Sequence, residues 1–112
     1  MIIEDEVKVR KRVYRKNERI YTMYYITFSI RYSEFLSKIK ELYNVEIVTP
    51  KFRIVIPKVN LFQYSYHLVK KTSVKIPQFS IVIPKSIGEE LENKGIKKVK
   101  VIVEVPDLVV ES

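Results

Sequence analysis

The stretch "FSIVIPKSIGEELENKG" (79–95) decides the fold of this chain, because it passes from a strand through a proline into a short helix that ends at glycine. Its first part is β-branched and aromatic, which is typical of a strand. Pro84 is expected at or just outside the first helical turn, and Ser86 is expected to cap the free amides. Lys94 and Gly95 form the basic last turn and the terminating residue.

Working outward, the flanking segments predict two hairpins around this helix. Upstream, "YHLVKK" (66–71) is a strand followed by a turn at Thr72-Ser73, and Pro77 marks an edge or a bulge in the next strand. Downstream, "KKVKVIVEV" (97–105) is a strand, followed by a turn at Pro106-Asp107 and the strand "LVV". The unit from 64 to 112 is therefore predicted as β-β-α-β-β.

The first half of the chain predicts the same order. Residues 7 to 16 alternate as a strand with one wet basic face, and Lys11 is the misfit because it falls on the opposite, apolar side. Asn17-Glu18 is a turn before the strand 20–30. A helix is predicted from a capping Ser33 through Tyr43, with Asn44 as its stop. A second hairpin follows around Thr49-Pro50-Lys51, and residues 59–66 are predicted as an aperiodic bridge.

The two halves indicate a repeat of about 53 residues, 7–58 and 64–112, within one compact domain spanning 1–112. Ser33 corresponds to Ser86, and Pro50 to Pro106. The similar heptads "FRIVIPK" (52–58) and "FSIVIPK" (79–85) are not equivalent, because the bridge follows one and the helix follows the other. Each unit is too small to bury its own apolar face, so the two are expected to pair as a β-rich α+β protein.

The segment 67–111 resembles the AbrB/MazE/SpoVT family of swapped-hairpin barrels, through Val82-Ile83-Pro84-Lys85, Leu91, Gly95 and the hairpin at Pro106-Asp107. Residues 7–56 match in order only, with Ile30-Arg31 in place of Ile-Pro and Asn44 in place of glycine. The resemblance implies a swapped-hairpin barrel closed within one chain as a pseudo-dimer. It also implies binding to DNA through basic residues of the first hairpin of each copy.

Net charge is +8, and much of it lies in one short segment. Residues 8–19 hold one acid, Glu18, and seven bases: Lys8, Arg10, Lys11, Arg12, Arg15, Lys16 and Arg19. Such a patch attracts phosphate-bearing partners, an acidic protein surface, or only water. The resemblance assigns DNA contacts to five of these bases, Arg10, Arg12, Arg15, Lys16 and Arg19, and to Lys70, Lys71 and Lys75 in the second copy. With Lys8 and Lys11 of the same basic segment, these make ten predicted nucleic-acid-binding residues. No arginine follows Arg53, which predicts two unequal halves.

The sequence offers little support for catalysis, metal binding or base stacking. The chain has no cysteine, one histidine (His67) and two glycines, so we expect no enzyme, metal site or cofactor. The tyrosines can stack on unpaired bases, but are more typical of strand packing: Tyr14, Tyr21, Tyr24, Tyr25, Tyr32, Tyr64 and Tyr66. Glu89, Glu90 and Glu92 are interpreted as solvating helix charges. Neither a membrane span nor a signal peptide is predicted, so we expect a cytoplasmic protein.

The sequence thus predicts a nucleic-acid-binding protein, most simply a duplex-DNA-binding transcriptional regulator or chromatin-associated factor that uses its basic N-terminal hairpin. The alternative is a protein-interaction module, antitoxin-like or a replication-accessory subunit, that docks on an acidic partner. The apolar end "VIVEVPDLVVES" (101–112) offers an edge strand for a protein partner or for self-association.

Overall fold

The computed structural model describes residues 2–105, with the side chains of 64–67 left out. A 3-10 turn (Ile30–Tyr32) precedes the first of two helices, α1 (Ser33–Leu36) and α2 (Lys85–Asn93). The strands are β1 (Ile2–Lys8), β2 (Arg10–Lys16), β3 (Arg19–Thr27), β4 (Glu41–Val48), β5 (Arg53–Val69), β6 (Val74–Ile83) and β7 (Lys98–Glu104). The chain is therefore β-rich with few helices, as predicted.

All seven strands form one antiparallel sheet in the order β1-β7-β4-β5-β6-β3-β2. The outermost strands β1 and β2 are consecutive in the chain, with only Val9 between them, and the Val9 amide donates to the Lys97 carbonyl over 2.8 Å. The sheet therefore curls into a half-barrel. We call β1, β7, β4 and residues 53–60 of β5 the β4 half-sheet, and residues 61–69 of β5 with β6, β3 and β2 the β6 half-sheet.

The core lies on the inner side of the curled sheet, where alternate residues of each strand point inward. On β7 these are Val99, Val101 and Val103, each at most 2 % exposed. The helices cover this side through Leu36 of α1 and Leu91 of α2, both fully buried. Each such side chain contributes about 1.5–3 kcal/mol when buried, so apolar positions fix the inward face of the strands that contribute to the core.

Strand β5 corrects the prediction of a bridge at residues 59–66. This strand runs unbroken for 17 residues, pairing with β4 through Asn60 and with β6 from Leu61 onward. The side-chain alternation is interrupted because the partner changes at this point and the register shifts between Gln63 and Ser65. The segment is aperiodic in sequence for that reason, although it is a strand.

The helix predicted from Ser33 through Tyr43 is also wrong, because α1 ends at Leu36 and β4 begins at Glu41. Asn44 adopts the predicted left-handed conformation (φ 50°), but within β4, at the level of Pro57, which has no amide to donate. The turn at Asn44 leaves Leu42 and Val45 both buried. That three-residue spacing resembles a helical period.

The turns predicted at Asn17-Glu18, Thr49-Pro50-Lys51 and Thr72-Ser73 are confirmed, whereas the predicted serine caps are not. Asn17 and Glu18 both have positive φ (51° and 64°), the geometry of a two-residue type I′ hairpin turn, and Gly95 (φ 67°) follows α2. Neither Ser33 nor Ser86 caps a helix, since Tyr32 and Pro84 hold those positions without side-chain bonds.

Pro77 lies at an edge position, as predicted, because the pairing of β3 with β6 covers only residues 80–83 of β6. The basic strand predicted from 7 to 16 is divided at Val9 into β1 and β2. The hairpin predicted at Pro106-Asp107 lies outside the described residues. Within residues 2–105, neither helix has the length and hydrophobicity needed to cross a bilayer.

Candidate nucleic-acid interface

The β2–β3 hairpin lies at one end of the sheet and projects from it as a two-stranded ribbon. All of β2 is exposed, and β3 becomes buried only from Tyr24 onward. The register pairs Arg10 with Tyr25 and Lys16 with Arg19, and directly paired residues share one face of an antiparallel ribbon. The ribbon therefore has two faces of different composition.

The inner face is continuous with the core, since it contains the buried Tyr24; its members are Lys11, Val13, Arg15, Ile20, Thr22 and Tyr24. The outer face carries Arg10, Arg12, Tyr14, Lys16, Arg19, Tyr21, Met23 and Tyr25. Four of the six hairpin cations thus lie on the outer face. Lys11, the misfit in the sequence alternation, lies on the inner face.

Outer-face cations on alternate positions of β2 are roughly 7 Å apart along the strand. The side chains of Arg10, Lys16 and Arg19 are exposed and form no ion pair with any side chain that the structure describes. The one acid of the ribbon, Glu18, lies in the turn. Along the row of cations on the outer face, Arg10, Lys16 and Arg19 are therefore solvated.

Two tyrosines occupy the middle of this row. The rings of Tyr14 and Tyr21 stack on each other with centroids 5.4 Å apart and planes inclined by 20°. Tyr24 and Tyr25 are buried, and the Tyr32 hydroxyl donates to the Glu4 carbonyl. These rings are already packed or paired, which is the strand role predicted for tyrosine. The side chains of Tyr64, Tyr66 and His67 lie outside the description.

The inner face is held to helix α2 by a polar and a steric contact. Lys11 Nζ donates to Glu92 Oε1 over 3.0 Å, and the Tyr24 hydroxyl donates to Glu92 Oε2 over 3.2 Å. Gly88 of α2 lies on the Tyr24 ring so closely that a Cβ there would be 2.2 Å from Tyr24 Cγ. We call Lys11, Tyr24, Gly88 and Glu92 the hairpin latch, because together they fix the ribbon against the body.

The charges of the latch shift one another's titration. The hydrogen bond from Lys11 lowers the pKa of Glu92, and the same bond raises the pKa of Lys11. Burial of the Tyr24 ring raises the pKa of its hydroxyl, and the Glu92 charge adds to that shift. At neutral pH the Lys11 charge is thus matched by Glu92, which leaves the outer face as the positive side of the ribbon.

Counted over the whole chain, net charge is confined to the two hairpins of the β6 half-sheet. Residues 10–27 and 61–83 hold nine of the 21 lysines and arginines and one of the 13 acids, Glu18. The rest of the chain therefore holds twelve of each sign and is neutral. The net charge of +8 belongs entirely to these two ribbons.

The ten predicted site residues do not form one surface. Lys70 and Lys71 lie in the turn between β5 and β6, and Lys75 lies just after it. Because β3 and β6 are antiparallel neighbours, this turn points away from the Asn17-Glu18 turn. Lys8 is the last residue of β1, outside the first hairpin. It nevertheless lines a groove of about 500 Å³ together with Arg10 of that hairpin. The first hairpin and Lys8 form one cluster, and the second-hairpin lysines form another.

Sequence reasoning missed the latch. The sequence predicts that Glu92 is a solvating charge and Lys11 a nucleic-acid contact, whereas the two side chains bind each other across 81 positions. The available signal was the wrong alternation of Lys11, which places it on the core side of its strand. Glu89 and Glu90 pair within α2, with Lys85 and Lys94.

Among the side chains that the structure describes, no three of His, Cys, Asp or Glu cluster as metal ligands would. Comparison of the chain with protein-family models, with curated proteins and with solved structures found no match. The resemblance to swapped-hairpin barrels therefore stays a prediction, and the functional argument depends on the geometry and charge described above.

Proposed function

We propose that this protein binds duplex DNA through the outer face of its β2–β3 hairpin and acts as a small transcriptional regulator or chromatin-associated factor. The observation that carries the proposal is that all net charge lies in two ribbons, with Arg10, Arg12, Lys16 and Arg19 on one exposed face of the first. A positive face beside a neutral body orients the protein towards a polyanion.

The ribbon has suitable dimensions for a duplex. Its alternate cations are spaced by roughly 7 Å, close to the distance between successive phosphates along one strand. A two-stranded ribbon also fits the major groove of B-DNA, which is about 12 Å wide. The contacts that follow from this arrangement are mainly to phosphate, and they set position and orientation more than sequence.

The state of the tyrosines favours duplex over single-stranded nucleic acid. Proteins that bind single strands expose aromatic rings on which bases stack. Here Tyr24 and Tyr25 are buried, and Tyr14 and Tyr21, which stack on each other, are 41 % and 39 % exposed. The four outer-face cations can bind phosphates without using any of these rings.

We also propose that the fold is a duplicated, swapped-hairpin pseudo-dimer. The register supports this idea, because Thr27 of β3 pairs with Ser80 of β6, 53 positions later, and their hydroxyls are 2.8 Å apart. Ile47 of β4 pairs with Val101 of β7, 54 positions later. A two-fold relation between the halves requires such pairing of equivalent strands. It is the arrangement expected of AbrB/MazE/SpoVT-like regulators.

Salt-dependent duplex binding tests the proposed function. We compare the wild type with the variant Arg10→Gln/Lys16→Gln/Arg19→Gln in fluorescence titrations of a random duplex between 50 and 300 mM salt. Removing three phosphate contacts is expected to weaken binding roughly 100-fold near 0.1 M salt and to reduce the log–log salt slope by about 3. The matched control is Lys38→Gln/Lys40→Gln/Lys51→Gln, which removes the same charge from exposed positions outside the ribbons.

The control separates location from total charge. If both variants lose affinity equally, net charge alone causes binding and the hairpin face is not the site. Negligible binding of the wild type to duplex, single-stranded DNA and RNA alike would eliminate the proposal.

The exposed inner face of the ribbon tip supports a second candidate, docking of an acidic protein partner. Val13 and Ile20 are 59 % and 66 % exposed there, and β2 is the last strand of the sheet formed by residues 2–105. The variant Val13→Ser/Ile20→Ser keeps every charge, so duplex binding is expected to stay within twofold. Two results together would favour docking of a protein partner over DNA binding. The Val13→Ser/Ile20→Ser variant would lose a co-purifying protein, and the Arg10→Gln/Lys16→Gln/Arg19→Gln variant would bind duplex as tightly as wild type.

A further inference from the structure

The two ribbons of the β6 half-sheet point in opposite directions. At the β3–β6 junction Tyr25 pairs with Val82. From that level the first turn lies about seven residues along β3, and the second turn lies about nine residues along β6 in the opposite sense. At 3.3 Å per residue the two turns are separated by roughly 50 Å. The body measures 47 × 31 × 28 Å, so the turns lie at the two ends of its long axis.

On β3 and β6 themselves, no charged residue lies between the two ends on the outer side of the sheet. The positions between them on β3 and β6 are Tyr25, Thr27, Gln78, Ser80 and Val82. Ser80 is fully buried, and its hydroxyl is used by Thr27. A duplex laid along the sheet would therefore meet cations at both ends and, between them, the groove in which Tyr25, Thr27 and Gln78 lie beside the carboxylates of Asp5 and Glu6. The charge is distributed as two separate patches.

The second patch has the composition of a phosphate contact in its own right. No acid occurs between Leu61 and Pro84, and three exposed lysines lie at or beside the turn: Lys70, Lys71 and Lys75. Lysine is a compact charge on a flexible stem and needs no fixed orientation to hold a phosphate. Leu68 and Val74, about half exposed, flank the turn. The lysines at this turn are thus suited to contact one or a few neighbouring phosphates, and not to follow a DNA groove.

From this arrangement we propose that one molecule bridges two duplex segments, one held along the β2–β3 ribbon and the other at the β5–β6 tip. The inference depends on the proposed duplex binding and adds to it a second, independent site. It predicts an architectural role, because a monomer with two opposed sites joins DNA segments without forming a dimer.

A two-colour capture assay tests bridging. A biotinylated 30-base-pair duplex is immobilised, the full-length protein is added, and retention of a fluorescent 30-base-pair duplex of unrelated sequence is measured. Wild type is expected to retain the second duplex at intermediate protein concentration and to lose it in excess protein, when each duplex is saturated separately. Lys70→Gln/Lys71→Gln/Lys75→Gln is expected to lose at least tenfold of the retention while binding one duplex within about threefold of wild type.

The variant Lys38→Gln/Lys40→Gln/Lys51→Gln has the same net charge and is expected to retain the second duplex. Single-duplex binding by wild type without capture would overturn bridging and leave the proposed function standing. Full capture by the Lys70/Lys71/Lys75 variant would also overturn it, because association between copies would then join the duplexes. Absence of any duplex binding would remove both proposals together.

Discussion

The two hairpins of the β6 half-sheet are built alike and charged differently. In β2–β3 the cations run along the strands, most are arginine, and their face is set by the latch to α2. In β5–β6 the cations are lysines gathered at the turn. No described side chain of the short α1 forms an ion pair with β6, although α1 packs against that strand. The first ribbon therefore presents an oriented row of charge and the second a cluster of charge at its tip, which is the difference on which the proposed duplex contacts depend.

The largest expected effect comes from breaking the latch sterically. Gly88→Ala forces a methyl group into the Tyr24 ring, where the nearest atom is 2.2 Å away, so the helix or the strand has to move. We expect the free energy of unfolding to fall by about 3 kcal/mol in urea denaturation. Gly95→Ala is the control, because its added Cβ has no neighbour within 4 Å and only the positive φ is strained, which costs about 1–2 kcal/mol. Equal losses for the two changes would show that the Gly88 contact is not tight.

The next effect separates the two faces of the first ribbon. Arg19 on the outer face and Arg15 on the inner face lie near the same turn and carry the same charge. Arg19→Gln is expected to weaken duplex binding about fivefold at 0.1 M salt, and Arg15→Gln less than twofold. Fluorescence titration with one duplex measures both. The opposite order would place the duplex on the inner face.

A smaller effect distinguishes orientation from charge. Glu92→Gln and Glu89→Gln each remove one acid from α2, but only Glu92 holds the ribbon, since Glu89 pairs with Lys85. Added positive charge strengthens duplex binding, so Glu89→Gln is expected to bind slightly more tightly than wild type. Glu92→Gln is expected to bind about threefold more weakly, because its ribbon is no longer fixed. Tighter duplex binding by both variants would show that the Lys11–Glu92 contact is an ordinary surface ion pair that does not orient the ribbon.

The smallest effect is a shift in titration. In Lys11→Gln the pKa of the Glu92 carboxyl is expected to rise towards its ordinary value of 4.5, since the Lys11 hydrogen bond is the main cause of its lowering. Because that pKa is lowered by folding, the stabilisation from Glu92 is complete above 4.5 and disappears as the pH falls through the folded value. The contribution of Lys11, whose pKa is raised, is complete below 10.5 and disappears as the pH rises through its folded value. Carbon-detected NMR titration measures Glu92 directly; an unchanged pKa would mean that the bond does not form in solution.

Local patterns predicted the hairpins and their turns well. The alternation of 10–16 and the residues Asn17-Glu18 specify the first ribbon, because backbone geometry there depends on neighbours in sequence. The prediction of a long helix from Ser33 was wrong because it also depended on local spacing. Leu36, Ile39 and Leu42 are spaced as in a helix, and only the pairing of β4 with its neighbouring strands shows that Leu42 lies in a strand.

Long-range features were beyond local patterns. β5 changes partner midway, so its alternation breaks and no periodicity identifies it as one strand. The Lys11–Glu92 contact joins residues that only the curled sheet brings together. The sequence predicts the charge distribution only in part. The basic segment 8–19 is evident from composition, whereas the second cluster of lysines is predicted only through the family resemblance. The distance between the two clusters follows from the sheet topology alone.

Amide hydrogen exchange with and without duplex, followed peptide by peptide, tests the central claim most directly, because it locates the DNA on the molecule without changing a residue. Two separate regions of slowed exchange are expected, at 10–23 and at 68–76, with β1, β4 and β7 unaffected by the duplex. Slowed exchange in the neutral β4 half-sheet, with none in either ribbon, would contradict the account.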